Sequence, residues 1–193
     1  MFWLALIVGY LLGSIPFGLL LTRQAGLGDV RAIGSGNIGA TNVLRTGNKT
    51  IAALTLLMDA GKAIAAGLVA KHVFDVAPLW GAAAALVGHC YPVWLKFKGG
   101  KGVATFFGGL FVSPWVLPLV AVATWLGMAF LFRFSSLAAL VTALVVLAVA
   151  WWLYPVQGIV GPLLVMVLVI FWRHRDNIGR LIRGEESKIG SKG

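Results

Sequence analysis

Long apolar runs separated by short, polar, glycine-rich stretches make up most of this chain. A membrane helix rises about 1.5 Å per residue and needs about 20 mostly apolar residues to cross. The pattern predicts spans at 1–22, 51–70, 77–95, 115–132, 136–154 and 156–172. The stretch 103–112 is apolar but ten residues long, which suits a short helix, a re-entrant segment or the start of a longer helix. The first run has no basic start and no small-x-small cleavage site, and Gly13-Ser14-Ile15-Pro16 interrupts it. It therefore reads as a retained span rather than a signal peptide. The expected fold is an all-α polytopic integral membrane protein, one domain over 1–193, with polar inserts at 23–50, 88–105 and 173–193 and no linker between them.

Composition excludes an ordinary water-soluble globule. Of 193 residues, 60% are hydrophobic and 11% charged, with a mean hydropathy of +0.93, against about 45–50% and about 25% in soluble domains. The net charge is +10, from 16 Lys and Arg against six Asp and Glu. Such an excess faces the cytoplasm, anionic lipid or an anionic substrate; in so hydrophobic a chain it does not suggest nucleic acid. With the N-terminus outside and 103–112 crossing, a bundle of about seven spans puts every Lys and Arg except Lys62 and Lys71 on one side. The positive-inside rule makes that side cytoplasmic, together with the C-terminus. The single Cys90 excludes an intramolecular disulfide and a cysteine metal cage.

The first insert holds Ser35-Gly36-Asn37-Ile38-Gly39-Ala40-Thr41-Asn42-Val43-Leu44-Arg45. Gly36 and Gly39 let backbone approach a ligand, and successive N–H groups in such turns form anion-binding nests. Thr41 or Asn42 is placed to cap a short helix whose amides would face a phosphate. Arg45 adds a planar fork of donors within one turn. A plain glycine-rich turn explains the same residues equally well.

The second insert runs Gly88-His89-Cys90-Tyr91-Pro92, then Lys96-Phe97-Lys98-Gly99-Gly100-Lys101-Gly102-Val103-Ala104-Thr105. It lacks the Ser or Thr that follows the lysine of a nucleotide-binding loop. Lys96 and Lys98 read as boundary anchors and Lys101, flanked by glycines, as the ligand candidate. His89 lies within a span, either as a packing histidine or as a ligand. In the third insert, a helix continuing past Arg173 would bring Arg173, His174 and Asn177 to one point at i, i+1 and i+4. Arg175 and Arg183 suit lipid headgroups or water. Asp59 and Lys62, at i and i+3 within the second span, are candidates by virtue of being ionisable in a membrane; as a self-neutralising pair they read as structural.

The six acidic residues form no paired-carboxylate or D-x-D-like site, which disfavours Mg²⁺-dependent phosphotransfer. No H-E-x-x-H, Cys/His metal spacing or G-x-S-x-G elbow occurs. No H-x-x-x-x-D occurs either, because Ala77, Trp94 and Gly179 stand five residues after His72, His89 and His174. Anion binders without a strong base suggest a reaction between two phosphate-bearing molecules, one already activated.

The three inserts resemble, in order and in register, the motifs of the bacterial acyl-phosphate:glycerol-3-phosphate acyltransferases, the PlsY family. The matching stretches are S-G-N-I-G-A-T-N-V-L-R at 35–45, G-H with F-K-G-G-K-G-V-A-T across 88–105, and R-H-R-D-N-I-G-R-L-I-R-G-E-E-S-K at 173–188. Gly13-Ser14-Ile15-Pro16 and Asp59-x-x-Lys62 fit as well. The resemblance implies a multi-pass enzyme of the bacterial cytoplasmic (inner) membrane with its active site facing the cytoplasm. It would move an acyl chain from acyl phosphate to the 1-hydroxyl of glycerol 3-phosphate, with no metal or organic cofactor and no obligate protein partner. On this reading Ser35, Arg45, His174 and Asn177 serve glycerol 3-phosphate and the reacting centre. Lys101 and the amides of Gly99, Gly100 and Gly102 suit the acyl-phosphate headgroup. Asn37, Thr41 and Asn42 donate to either phosphate, and Gly36, Gly39, His89 and Arg173 complete the binding set. The proton acceptor is His174 or a substrate phosphate. The alternative of another class is a membrane carrier for phosphorylated anions; polar motifs gathered at one face rather than near the midplane count against it.

Overall fold

A computed structural model describes residues 1–190; Lys192, part of the basic tail, lies outside them. Helices α1 (Phe2–Gly13), α2 (Phe17–Gln24), α3 (Ala40–Val43), α4 (Lys49–Phe74), α5 (Pro78–Cys90) and α6 (Val103–Leu110) belong to a first compact unit, Met1–Val112. Helices α7 (Val116–Phe132), α8 (Ser135–Leu153), α9 (Val160–Arg173) and α10 (Arg175–Arg183) belong to a second unit that begins at Ser113. No strand occurs among the described residues.

The expected spans become helices of unequal length. Phe2–Gln24, taken through its break, Lys49–Phe74 and Ser135–Leu153 are long and apolar enough to cross a membrane, and Val116–Phe132 and Val160–Arg173 are shorter apolar helices. Local chemistry sets the ends. Asn48 caps α4 by accepting the Ile51 amide at 3.0 Å, and Asp75, in the left-handed region at φ 51°, closes it. Pro78 opens α5, where its missing N–H costs nothing. The predicted span 77–95 stops early at Cys90, because Pro92 offers no amide to continue the ladder. The apolar stretch 103–112 forms only the eight residues of α6, about 12 Å of helix against about 30 Å of hydrocarbon. Any crossing at this point therefore uses the residues on either side of α6 as well.

In the first unit α1, α4, α5 and α6 pack on one another, and small residues decide how closely. The buried face of α4 includes Ala52, Thr55, Asp59, Lys62, Ala63, Ala66 and Ala70, while Leu56, Leu57 and Leu68 face outward at 45–65% exposure. Small residues inside and large apolar ones outside are what lipid-embedded packing requires, because lipid gives no hydrophobic drive between helices. Gly9 and Gly13, spaced as G-x-x-x-G, lie against Gly81 and Ala85 of α5, where a Cβ would strike backbone. Gly108 of α6 likewise meets the Ala60 carbonyl of α4.

In the second unit α7 and α8 form a hairpin whose turn at Arg133 is left-handed, at φ 61°. Helix α9 packs on α8, and α10 touches both. The tail folds back on the hairpin turn: the Ile189 amide donates to the Arg133 carbonyl at 2.6 Å, and Arg133 Nη2 donates to the Ile189 carbonyl at 3.1 Å.

Candidate active site

The first polar loop is organised from within by Asn42. This side chain is 2% exposed. Its Oδ1 accepts the Ser35 amide at 3.0 Å, and its Nδ2 donates to the carbonyls of Val30, Ile33 and Asn37 at 2.7, 3.1 and 2.8 Å. A side-chain amide has two donor hydrogens, so this set occupies both of them. The expectation that Asn42 donates to a phosphate is therefore corrected: it holds the loop in shape. The helix cap differs too. Gly39, extended at φ −81° and ψ 163°, caps the four-residue α3, and Thr41 and Asn42 lie inside it.

The expected backbone nest is not built at Ser35 and Gly36, because the Ser35 amide goes to Asn42 and the Gly36 amide to the Ile33 carbonyl at 3.0 Å. Side chains remain as the surface chemistry of the loop. Ser35, Thr41 and Arg45 are exposed, and Asn37 Nδ2 points at Ser35 Oγ, 3.4 Å away. The stem of Arg45 lies over Gly34, whose φ of 52° and lack of a side chain let Arg45 and Asn42 approach. The neighbouring basic residues are accounted for differently. Arg31 holds Asp29 at 2.6 Å and Arg23 holds it at 3.2 Å. The Arg31 hydrogen bonds hold the Asp29 carboxyl well below the usual carboxylate range.

The glycine loop after α5 is also satisfied by the fold. The Gly99 amide donates to the Cys90 carbonyl and the Gly100 amide to the His89 carbonyl, both at 3.1 Å. These are among the last carbonyls of α5, which lack helical partners. The sequence-based assignment of the Gly99 and Gly100 amides to a substrate phosphate is corrected accordingly. Both glycines are required for packing: a Cβ on Gly99 would strike the His89 carbonyl, and one on Gly100 the His89 ring. Gly102, at φ 84°, is the N-cap of α6, with Lys101 immediately before it.

His89 is 3% exposed and belongs to a buried group that sequence reading missed. Its Nδ1 lies 2.9 Å from Lys62 Nζ and 3.4 Å from Asp59 Oδ1. The i, i+3 spacing showed the Asp59–Lys62 pair; nothing in the sequence pointed to His89 as its third member.

In the second unit the helix does not run through the third motif. His174, at φ −100° and ψ 7°, separates α9 from α10. The straight-helix expectation for Arg173, His174 and Asn177 fails there. His174 is 2% exposed, and its Nδ1 stands 2.8 Å from the Ile170 carbonyl. A carbonyl only accepts, so Nδ1 carries a hydrogen and donates it there. Asn177, 5% exposed, donates to Glu186 Oε1 at 2.6 Å. The same carboxylate accepts Ser136 Oγ at 2.6 Å and Arg180 Nε at 2.7 Å. Burial pushes the Glu186 carboxyl up, but these three hydrogen bonds and the Arg180 charge prevail and hold it below its ordinary value. Sequence reading gave Glu186 no role; its only signal was its place in the third motif. Among the described residues no group of three His, Cys, Asp or Glu side chains is arranged to hold a metal.

Comparison with known proteins decides the family. The family model described as glycerol-3-phosphate acyltransferase matches residues 3–184. The chain belongs to the glycerol-3-phosphate acyltransferase family. Members similar to it include a glycerol-3-phosphate acyltransferase of Mesorhizobium japonicum, 58% identical over 98% of this chain and 97% of the relative. Another, from Caulobacter vibrioides, is 56% identical over 98% of this chain and 88% of the relative. The crystal structure of PlsY, an integral membrane glycerol 3-phosphate acyltransferase, in its glycerol 3-phosphate form has a TM-score of 0.89 at 36% identity, covering 98% of this chain and 96% of that one. The lysophosphatidic acid form of PlsY gives the same TM-score at 33% identity. The family thus identified is the one that the three motifs resemble, and this chain, helical without strands among the described residues, is membrane-spanning.

Proposed function

We propose that this protein is a membrane enzyme that transfers an acyl group from acyl phosphate to the 1-hydroxyl of glycerol 3-phosphate, releasing lysophosphatidic acid and inorganic phosphate. The observation that carries the reading is full-length likeness to a PlsY structure in its glycerol 3-phosphate form, on a chain whose exposed loop groups are Ser35, Thr41 and Arg45. The 193 residues act as one acyltransferase domain in the bacterial inner membrane. The N-terminus is outside and the three polar inserts face the cytoplasm, as the distribution of Lys and Arg requires.

The chemistry follows from the donor. Acyl phosphate is a mixed anhydride, so the glycerol hydroxyl oxygen attacks its carbonyl carbon directly. The new C–O ester bond forms as the C–O bond to phosphate breaks, and phosphate leaves with the bonding pair. Catalysis then consists of positioning and electrostatics. Arg45 holds a phosphate through its planar fork, and Ser35 and Thr41 orient the acceptor. Asn37 and Arg173 assist in binding, and Lys101 stabilises the acyl-phosphate oxygens. Asn42, Gly36 and Gly39 shape the loop that carries Ser35. His174, whose Nδ1 is held by the Ile170 carbonyl, and Asn177 are the catalytic candidates of the second unit. The hydroxyl proton goes to a substrate phosphate oxygen, so no covalent acyl-enzyme forms.

The test uses purified protein, glycerol 3-phosphate and either acyl phosphate or acyl-CoA without added metal, following phosphate and lysophosphatidate. Turnover with acyl phosphate is expected. Its absence would refute the enzyme reading, preference for acyl-CoA would refute the donor, and an acyl group trapped on Ser35 would refute direct transfer.

A further inference from the structure

The reaction above leaves the most buried ionic group of the first unit without a role. The side chains of Asp59 and Lys62 are each 2% exposed, and that of His89 is 3% exposed. Lys62 Nζ stands 2.7 Å from Asp59 Oδ1, 2.9 Å from the Ile15 carbonyl and 2.9 Å from His89 Nδ1. An ammonium only donates: it gives hydrogens to the Ile15 carbonyl and to His89 Nδ1, and Asp59 Oδ1 pairs with its charge. The Ile15 carbonyl is available because the first helix breaks between Gly13 and Phe17 around Pro16. Nearby, Trp94 Nε1 donates to the Ser14 carbonyl of the same break at 2.6 Å. Non-helical backbone at membrane depth is tolerated where protein groups satisfy it in this way.

From His89 the arrangement continues into the glycine loop. The His89 carbonyl takes the Gly100 amide, the Cys90 carbonyl takes the Gly99 amide, and the His89 ring fills the space that a Cβ on Gly100 would need. A buried ion pair adds little net stability over apolar residues of equal size. What it does supply is a unique geometry at the point where α5 passes into the loop.

We infer that Asp59, Lys62 and His89 form a buried positioning triad, which fixes the His89 ring and through it the conformation of the 99–102 loop that carries Lys101. The kinetic consequence rests on the acyl-transfer reading, whereas the conformational one does not.

The test removes both charges together. The double variant D59N/K62M leaves no uncompensated buried charge, and its melting in detergent reports whether it folds. Hydrogen exchange of the segment spanning 99–102 is expected to accelerate at least about tenfold, while the segment organised by Asn42 stays within about twofold of the parent. With acyl phosphate as the varied substrate, KM is expected to rise about tenfold and kcat to stay within about threefold. His89→Phe keeps a ring beside Gly100 but removes the acceptor for Lys62; it serves if the double variant does not fold, and the same changes are expected. Unchanged exchange at 99–102 would overturn the inference, as would a fall in kcat at constant KM. Faster exchange at 99–102 in a protein whose parent form shows no turnover would support the triad and count against the proposed reaction alone.

Discussion

Replacing Asn42 with alanine tests the claim that one buried amide builds the first polar loop. The substitution removes four hydrogen bonds, to the Ser35 amide and to the carbonyls of Val30, Ile33 and Asn37. The bond to Val30 is fully buried and the other three are partly buried. A buried group left unsatisfied costs about 1–3 kcal/mol, and each partly solvated bond is worth about 0.5–1.5 kcal/mol. Because water reaches the partly exposed partners, the lower part of that range applies, and the loss is about 3 kcal/mol of local stability. At 1.4 kcal/mol per factor of ten, the loop should open about 100-fold more often. Hydrogen exchange of the 30–43 segment in detergent measures this directly. The KM for glycerol 3-phosphate should rise about tenfold in the same protein, because Ser35 loses its fixed position. Asn42→Asp is a sharper control: it keeps an oxygen for the Ser35 amide but turns a second oxygen towards three carbonyls, so it should be no better than alanine. Exchange within threefold of the parent in both variants would refute the reasoning.

Other substitutions probe the remaining links. Arg45→Lys keeps the charge but loses the planar fork, so the KM for glycerol 3-phosphate should rise about tenfold with little change in kcat. Glu186→Gln should cost about 1–3 kcal/mol, read as a drop of several degrees in Tm. Because the Glu186 pKa is depressed in the folded protein, its contribution is present above the ordinary glutamate value and is lost as pH falls through the folded one. Melts taken from neutral pH to below about 4.5 should therefore show a steeper acid loss in the parent than in Glu186→Gln, and equal slopes would contradict the assigned role. Gly13→Ala places a Cβ against the Ala85 backbone and should destabilise by about 1–3 kcal/mol. Gly127→Ala, with open space around it, should leave Tm unchanged or raise it slightly.

The span pattern was legible because apolar length is a local property of the chain. Span 51–70 falls within α4, and 115–132 and 136–154 each overrun α7 and α8 by one residue. Helix was overextended at 156–159 as well as at 91–95 and His174, and the last two are set by features that hydropathy does not weigh: a proline without an amide and a junction residue that leaves helical geometry. The motif residues were found because Gly, Ser, Asn, Arg and Lys are conspicuous among apolar runs. Their division of labour was not legible. A side-chain or backbone donor reads the same in a sequence whether it faces a substrate or a carbonyl of its own fold, and only three-dimensional pairing shows that the Asn42, Gly99 and Gly100 donors are already committed.

The charge distribution shows the same boundary. Sequence by itself determined that a strongly basic, 60% hydrophobic chain is a multi-span protein, because burial in lipid and the side preference of Lys and Arg are summed over residues without regard to contacts. Tertiary structure alone decided what individual charges do. Arg31 and Arg23 close on Asp29, Lys62 is enclosed by Asp59, Ile15 and His89, and Arg180 holds Glu186. Electrostatic energy depends on separations of a few ångströms and on the surrounding dielectric, and folding sets both by bringing together residues as far apart as Ile15, Lys62 and His89.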